Sequence, residues 1–276
     1  MRLPPSAEEV RTRLGADWPV PGAVDCHAHV FEQGFPFAAE RDFDPLPYPL
    51  EYYLGWLQAL DIPRCVQVTA SCYGFDNSAT RYVLDECRAN GVAARGVAII
   101  HPEIDEAELA ALARGGFIAA RLMASRVARL DTDAFEALAG RCAPHRWHVE
   151  VNVDSSDDWE RLESRLARSP VPIVFEHLGM HGDAGADAPG VRAVLRLLEK
   201  RSDFALKLRF PDVAPLAKLL LRHHPDRLMW GSTLPQRPVR GAPDDLEQIA
   251  SVLDCLPDPA ARQLVFATNA ERFYGF

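Results

Sequence analysis

Two histidines near the start of the chain have the clearest capacity for chemistry. They are His27 and His29, in the segment Val-Asp-Cys-His-Ala-His that begins at Val24. Side chains alternate between the faces of an extended strand, so Asp25, His27 and His29 are expected on one side. Two imidazoles at that spacing can hold one metal ion or one substrate oxygen. The alternative is that one is a packed core residue and the other lies on a loop.

Beyond this segment, short apolar stretches alternate with segments of helical spacing. About eight stretches, from Ala23–His27 to Leu228–Gly231, are each followed by a helix pattern. Apolar strands joined by helices form a parallel sheet that is covered on both faces, and eight such units close into a (β/α)8 TIM barrel. A doubly wound open sheet is the alternative. It would need a glycine-rich phosphate loop after the first strand, where the sequence has none.

Length and composition indicate one α/β domain. The chain has 276 residues, of which 48% are hydrophobic and 25% charged, and no linker-like run divides it. Residues 1–22 are polar and rich in Pro and Arg, and we expect them to form an irregular N-terminal leader. Residues 23–276 are predicted to form the barrel domain.

Charge and cysteine usage exclude several classes of partner. The net charge is -9 without any Lys/Arg-rich run, which argues against nucleic acid and membrane as partners. There is no signal-peptide pattern and no apolar run of about 18 residues, so a cytoplasmic enzyme is expected. The six cysteines are scattered without a Cys-x-x-Cys pair, which favours reduced thiols. The sequence leaves open whether the chain is a monomer or a homo-oligomer.

In a barrel of this type the active site lies at the carboxyl ends of the strands. The last residue of each predicted strand, and the loop beyond it, therefore carry the candidate chemistry. Four histidines and two arginines meet at this rim. The rim positions are His27, His29, Ser71, His101, Arg121, Asn152, His177, Arg209 and either Ser232 or Thr233.

Several motifs at these strand ends resemble the amidohydrolase superfamily. They are Val-Asp-Cys-His-Ala-His, Phe-Glu-His-Leu-Gly and Met-Trp-Gly-Ser-Thr-Leu-Pro. Within the superfamily, Phe-Pro-Phe-Ala-Ala-Glu-Arg and Ala-Ser-Cys-Tyr-Gly are most similar to the 2-pyrone-4,6-dicarboxylate lactonase branch. The resemblance spans about Ala23 to Phe276. It implies hydrolysis of a small carboxylated cyclic ester, such as a pyrone or a muconolactone-like compound.

The resemblance also implies roles for the rim residues. His27, His29 and His177 would surround the scissile carbonyl and polarise it. Arginines would bind the substrate carboxylates, since a guanidinium meets a carboxylate through a two-point fork. Either rim arginine could instead form a structural salt bridge within the barrel. The substrate-binding candidates are Ser71, Arg121, Arg126, Asn152, Arg209 and Gln236.

The eighth strand departs from the superfamily pattern. It normally ends with an aspartate that binds metal or deprotonates water, but Thr233 occupies that position and Gln236 replaces the usual histidine. A threonine hydroxyl can orient a water but cannot act as a general base near pH 7. Another group could take the proton, either one of the histidines or Glu150, which shares a strand face with Asn152. A buried Glu150 would have a raised pKa, but it could equally be a structural group tied to Arg or His.

Two further interpretations of Thr233 stay open. The protein could catalyse a decarboxylation, isomerisation or lactonisation, which needs no activated water. It could also be a catalytically inactive relative that binds a carboxylated ligand.

The sequence favours a site without a cofactor. His27, His29 and His177 could hold one divalent metal such as zinc, since three histidines with an open fourth position form a catalytic zinc site. The fifth-strand position, however, has Asn152 instead of histidine, and no bridging lysine is found there. The lactonase branch that the sequence resembles works without metal. We therefore expect neutral imidazoles that donate hydrogen bonds to an oxyanion.

Overall fold

The structure is a computed structural model that describes residues 3–41, 43–123, 134–153, 155, 157–177, 187–208, 214–235 and 244–276. In these ranges eight parallel strands form one sheet whose spatial order follows the chain. The strands are β1 (Val24–Ala28), β2 (Arg64–Val68), β3 (Ala93–Ala98), β4 (Phe117–Met123), β5 (His148–Asn152), β6 (Ile173–Glu176), β7 (Ala205–Leu208) and β8 (Leu228–Trp230).

The first and last strands meet just beyond β8, and this contact closes the barrel. Ala28 and Leu234 form a parallel bridge. The backbone N–H of His29 donates to the Leu234 carbonyl at 2.7 Å, and the N–H of Thr233 donates to the His27 carbonyl at 2.7 Å. The predicted (β/α)8 barrel is therefore confirmed, and its seam lies beside the first two histidines.

Helices alternate with the strands and cover the outside of the barrel. They are α1 (Ala7–Leu14), α2 (Leu50–Ala59), α3 (Ser78–Ala89), α4 (Glu106–Arg114), α5 (Phe135–Cys142), α6 (Asp157–Leu166), α7 (Pro189–Lys200), α8 (Ala214–His223), α9 (Asp245–Cys255), α10 (Pro259–Gln263) and α11 (Asn269–Tyr274). None of the helices in the described ranges is long and apolar enough to cross a membrane. All six cysteines are free thiols, as predicted.

Helix α1 contradicts the expectation of an irregular leader. The Ser6 side chain accepts a hydrogen bond from the Glu9 N–H at 3.1 Å, which caps the first turn. Val10 and Leu14 lie one turn apart and are buried in the main core. The polar composition of the segment concealed a short amphipathic helix whose two apolar residues share one face.

Strand residues alternate between two apolar layers. The apolar residues that share the interior of the barrel are small or β-branched except for one methionine, and they come from seven of the strands: Val24, Cys26, Val66, Val68, Val97, Ala119, Val174, Ala205 and Met229. Tyr274 belongs to the same cluster and contacts His148, the first residue of β5. The carboxyl-terminal helix α11 therefore fills the amino-terminal end of the barrel and leaves the opposite rim for chemistry.

Candidate active site

Strand β1 is irregular at the point where the chemistry begins. Its register with β2 shifts after Asp25, and the Asp25 carboxylate accepts hydrogen bonds from the Tyr53 hydroxyl of α2 at 2.9 Å and the Ser232 hydroxyl at 2.7 Å. Asp25 therefore faces the helical layer. The expectation that it shares a face with His27 and His29 is wrong, because the irregularity breaks the simple alternation of side chains.

His27 lies between the other two predicted histidines. Its Nε2 is 3.3 Å from Nε2 of His29, and its ring centre is 5.1 Å from that of His177. The first and sixth strands therefore bring these three imidazoles to one place, as the strand-end argument required. The backbone of His177 is left-handed with a φ of 59°, a strained conformation that is concentrated at functional sites.

The hydrogen bonds of the pair distinguish the roles of His27 and His29. Nδ1 of His29 lies 2.6 Å from the Val68 carbonyl, which only accepts, so Nδ1 carries the proton. Nε2 of neutral His29 then carries a lone pair and can only accept. In the 3.3 Å contact between the two Nε2 atoms, His27 must therefore be the donor. His27 thus presents an N–H and His29 presents an acceptor. This modifies the expectation that all the imidazoles act as donors.

Both imidazoles are neutral at physiological pH. Burial, reinforced by the charge of Lys207, holds the pKa of His27 well below its usual value. Burial and the Arg121 guanidinium lower the pKa of His29 to about 3. Neutral rings of such low basicity are suited to hydrogen bonding, but they are weak proton acceptors near pH 7.

A buried ion pair lies beside the histidines. Arg121 Nε donates to both oxygens of Glu176 at 2.8 and 2.9 Å, and Nη2 donates to Oε2 at 2.5 Å. Arg121 also donates to the Thr69 carbonyl at 3.2 Å, and Asn152 donates to Glu176 Oε2 at 3.2 Å. The structural salt bridge considered for Arg121 is therefore present. Binding of substrate by Arg121 and Asn152 stays a prediction.

Glu150 is bound within the barrel interior, and its pKa is shifted in the direction opposite to the one expected. It is fully buried and accepts hydrogen bonds from Lys207 at 2.5 Å and the Tyr274 hydroxyl at 3.2 Å, and His148 Nε2 lies 3.3 Å away. Burial alone would raise its pKa, but the Lys207 charge and the contact with His148 lower the pKa to about 2. The predicted raised pKa is wrong, and a carboxylate held ionised in this way is a poor general base.

Sequence reasoning missed Glu176 and Lys207 as functional candidates. Each is a charged residue within a short apolar strand, Ile-Val-Phe-Glu for β6 and Ala-Leu-Lys-Leu for β7. A fully buried charge requires a partner of opposite sign, so a charged residue in each of these strands predicts an ion pair inside the barrel. The partners themselves follow only from the closed sheet.

Of the remaining predicted site residues, two lie in the described part of the chain and three do not. Ser71 is buried and begins a short 3-10 turn at the end of β2. Thr233 is half-buried, has a left-handed φ of 58° and is bound through its N–H to the His27 carbonyl. Their roles stay predictions. Arg126, Arg209 and Gln236 lie outside the described residues.

Comparison with known proteins identifies the family. Residues 24–276 match the family model described as Amidohydrolase. The chain belongs to the amidohydrolase family. This confirms the predicted family and makes the chain an enzyme of the hydrolase class.

The amidohydrolase has several relatives of known name. It is 29% identical to a 2-pyrone-4,6-dicarboxylate hydrolase of Comamonas testosteroni and 30% identical to a 4-sulfomuconolactone hydrolase of Rhizobium radiobacter, with 92% of this chain and 90% of each relative covered. It is 28% identical to a D-galactarolactone isomerase of Agrobacterium fabrum, over 92% of this chain and 91% of the relative. A crystal structure of an Agrobacterium tumefaciens protein in its apo form superimposes with a TM-score of 0.81 at 28% identity, covering 92% of this chain and 96% of that one.

The donors of this amidohydrolase site are a poor fit for a divalent metal. The 3.3 Å separation of His27 and His29 does suit two ligands of one tetrahedral zinc at Zn–N distances of about 2.0–2.1 Å. The ligand atoms that converge within 4.8 Å, however, are those of His27, Glu176 and His177. Glu176 already accepts three hydrogen bonds from Arg121, so binding a metal there would break a buried ion pair.

The charges around the histidines also disfavour a metal. Arg121 and Lys207 each contribute one positive charge, and Glu176 and Glu150 each contribute one negative charge. The two pairs balance, and all four side chains are buried. A divalent ion bound by neutral imidazoles would depend on a bound hydroxide or an anionic substrate to compensate its charge in this buried interior.

Gly231→Ala should reduce both activity and stability. An added Cβ would lie 2.7 Å from the His27 Cβ and 2.9 Å from the His27 backbone nitrogen, so His27 has to move. We expect a loss of about 1–3 kcal/mol in the free energy of unfolding, with a lower kcat/KM in any assay that the wild type supports. Thermal unfolding and steady-state kinetics measure the two effects.

The matched control is Gly140→Ala, where the added Cβ meets nothing within 4 Å. Gly140 lies inside helix α5, so alanine there should stabilise the protein by about 0.5–1 kcal/mol without changing kcat/KM. An unchanged kcat/KM and unfolding temperature for Gly231→Ala would contradict the close packing of β8 against His27.

Proposed function

We propose that this amidohydrolase is a metal-independent hydrolase that opens a small carboxylated lactone of the 2-pyrone-dicarboxylate or muconolactone type. The observation that carries the proposal is the convergence of His27, His29 and His177 beside a buried, charge-balanced interior. The names of the two hydrolases at 29% and 30% identity support the substrate class.

The proposed roles follow the hydrogen-bonding state of each side chain. When substrate binds, His27 Nε2–H leaves its 3.3 Å contact with His29 and donates to the lactone carbonyl oxygen, where it stabilises the developing oxyanion. His29 presents a lone pair to a water or to a substrate hydroxyl, and His177 borders the same oxygen. Thr233, beside the His27 carbonyl, orients the water. The residues proposed to hold the substrate, carboxylates included, are Ser71, Arg121, Arg126, Asn152, Arg209 and Gln236.

The wider setting of the enzyme is part of the same proposal. We propose that it acts in the cytoplasm on a small-molecule substrate, as a monomer or a homo-oligomer, without a nucleic acid or membrane partner. The net charge of -9 supports the exclusion of anionic polymers.

A second candidate function is a non-hydrolytic reaction on a similar lactone. Because Thr233 occupies the position of the superfamily aspartate, the eighth strand has no carboxylate there to activate water. A decarboxylase, an isomerase or a lactonising enzyme would not require that carboxylate. The 28% identity to a D-galactarolactone isomerase favours this class in particular. A catalytically inactive relative that only binds a carboxylated ligand is the third candidate.

A panel of carboxylated lactones distinguishes these candidates. Purified protein is incubated with 2-pyrone-4,6-dicarboxylate, a muconolactone and galactarolactone, with and without a chelator, and its metal content is measured. Ring absorbance reports turnover, and proton NMR identifies the product as an open-chain acid or a rearranged lactone. We expect an open-chain acid at a rate that the chelator leaves unchanged.

Other outcomes would contradict parts of this proposal. A rate that falls with chelator and returns with zinc would contradict metal independence. A rearranged lactone would favour the isomerase, and binding without turnover would favour the inactive relative.

A further inference from the structure

Glu176 is the buried carboxylate that the proposed roles leave without a chemical task. It ends β6, directly before His177, and its side chain is completely shielded from solvent. Arg121 and Asn152 bind it, and Oε1 receives only the Arg121 Nε–H among the described contacts. Since a carboxylate oxygen can accept two hydrogen bonds, Oε1 keeps the capacity to accept one more.

The position of Glu176 relative to the histidines suits proton transfer through water. Its oxygen lies within 4.8 Å of ring nitrogens of both His27 and His177, a gap that one water molecule spans with two hydrogen bonds. A water held there would lie next to the imidazole of His27, the residue proposed to donate to the carbonyl oxygen. The nucleophile and the electrophile would then meet within the same small volume.

The other buried carboxylates in the described part of the chain are unsuitable. Glu150 is bound to Lys207 and lies deeper, next to Tyr274 at the amino-terminal end of the barrel. Asp25 faces α2 and is held by Tyr53 and Ser232. Neither contacts the histidine ring atoms that face the substrate position.

We propose that Glu176 is the general base of the ring-opening reaction, a role that rests on the proposed lactonase function and that Thr233 cannot fill. Glu176 removes a proton from water while the water oxygen bonds to the lactone carbonyl carbon. The carbonyl electron pair moves to the oxygen, which accepts the His27 N–H. Collapse of this intermediate breaks the ring C–O bond, and the proton on Glu176 passes to the leaving oxygen. Water and lactone give one open-chain acid, so no further reactant is required.

The charges that face Glu176 set its strength as a base. Burial raises the pKa of Glu176, and the Glu150 charge on β5 raises it further. Arg121 on β4 and Lys207 on β7 act in the opposite direction, and the net direction is upward. Burial lowers the pKa of the neighbouring imidazoles of His27 and His29. The pKa of Glu176 is therefore raised above that of an ordinary glutamate, which is the direction that a general base requires.

Glu176→Gln tests the proposal, because it keeps the side-chain shape and removes the base. We expect kcat to fall by about 10²–10⁴-fold, with KM within a few-fold and lactone binding still detectable by calorimetry. The acid side of the wild-type pH profile of kcat/KM, where activity falls as Glu176 takes up a proton, should disappear. Thr233→Asp in the Glu176→Gln background should restore part of kcat, since it returns a carboxylate to the rim.

The matched control is Glu136→Gln, which breaks the exposed bidentate pair between Glu136 and Arg165 and should leave kcat and the pH profile unchanged. If loss of the Arg121 counter-charge prevents Glu176→Gln from folding, Glu176→Asp decides instead. It should fold, retain the acid limb and lose kcat, because the carboxylate is one methylene further from the water.

The outcomes separate this inference from the proposed function. Turnover of a lactone by the wild type tests the function itself in the same assay. With that turnover established, a folded Glu176→Gln or Glu176→Asp protein that retains wild-type kcat would overturn the role of Glu176 and leave the lactonase assignment intact.

Discussion

Lys207→Met should lower the free energy of unfolding by about 3–5 kcal/mol, the cost of leaving a buried charge without its partner. Lys207 and Glu150 are both fully buried, and Nζ lies 2.5 Å from Oε2. The remaining neighbours of Glu150, His148 and Tyr274, provide hydrogen bonds but no permanent positive charge. At about 2–4 °C per kcal/mol, the melting temperature should fall by about 6–20 °C.

Thermal and urea unfolding measure this effect. Lys200→Met is the matched control, because Lys200 is exposed at the end of α7, and it should change stability by less than about 0.5 kcal/mol. Lys207→Met combined with Glu150→Leu removes both charges and should recover most of the lost stability. If Lys207→Met alone unfolds like the wild type, the pair does not hold the barrel interior together.

The stability difference should also depend on pH with a definite sign. In the wild type the pKa of Glu150 is lowered to about 2, so its stabilising effect is complete above the unfolded pKa of about 4.3 and is lost as pH falls towards 2. Without Lys207, burial dominates and the pKa of Glu150 rises. Folded Lys207→Met protein then neutralises Glu150 by protonation. The difference in the free energy of unfolding between wild type and variant should therefore be largest near pH 7 and should decrease below about pH 4.3. A gap that is constant down to pH 3 would contradict this account.

The sequence alone could predict the barrel and the histidines because both depend on local patterns. Apolar strands followed by helices predict the (β/α)8 topology, and the rule that chemistry lies at strand ends selects His27, His29 and His177. The same local reasoning could not foresee the irregularity after Asp25, which depends on contacts with Tyr53 and Ser232 from distant parts of the chain.

The partners within the two buried ion pairs could not be predicted from the sequence for a related reason. A charged letter inside a buried strand predicts that a partner exists, but the partner depends on the register of the closed sheet. Glu150 faces Lys207 two strands away, and Arg121 faces Glu176 two strands away. The sequence therefore made Glu150 a candidate base. In the closed barrel Lys207 compensates the charge of Glu150, and Glu176 is the carboxylate that lies beside the histidines.

His27→Leu should lower kcat/KM for the lactone by about 10²–10³-fold, the cost of removing one donor that faces a developing oxyanion. The His27 N–H is held only by its 3.3 Å contact with His29 and can turn to the lactone oxygen, whereas the proton of His29 is engaged at 2.6 Å by the Val68 carbonyl. Leucine fills most of the imidazole volume, so the packing against Gly231 should survive. His27→Gln places an amide N–H near the position of Nε2 and should lose less activity than leucine.

Steady-state kinetics of both variants, with thermal unfolding to verify the fold, measure this effect. His223→Leu, at the exposed end of α8, is the control and should leave kcat/KM unchanged. The order wild type, glutamine, leucine is the critical result, because a purely steric role for His27 would make the two variants equally impaired. If leucine at position 27 retained the wild-type rate, the N–H of His27 would not be the group that stabilises the oxyanion, and His177 would have to supply that hydrogen bond.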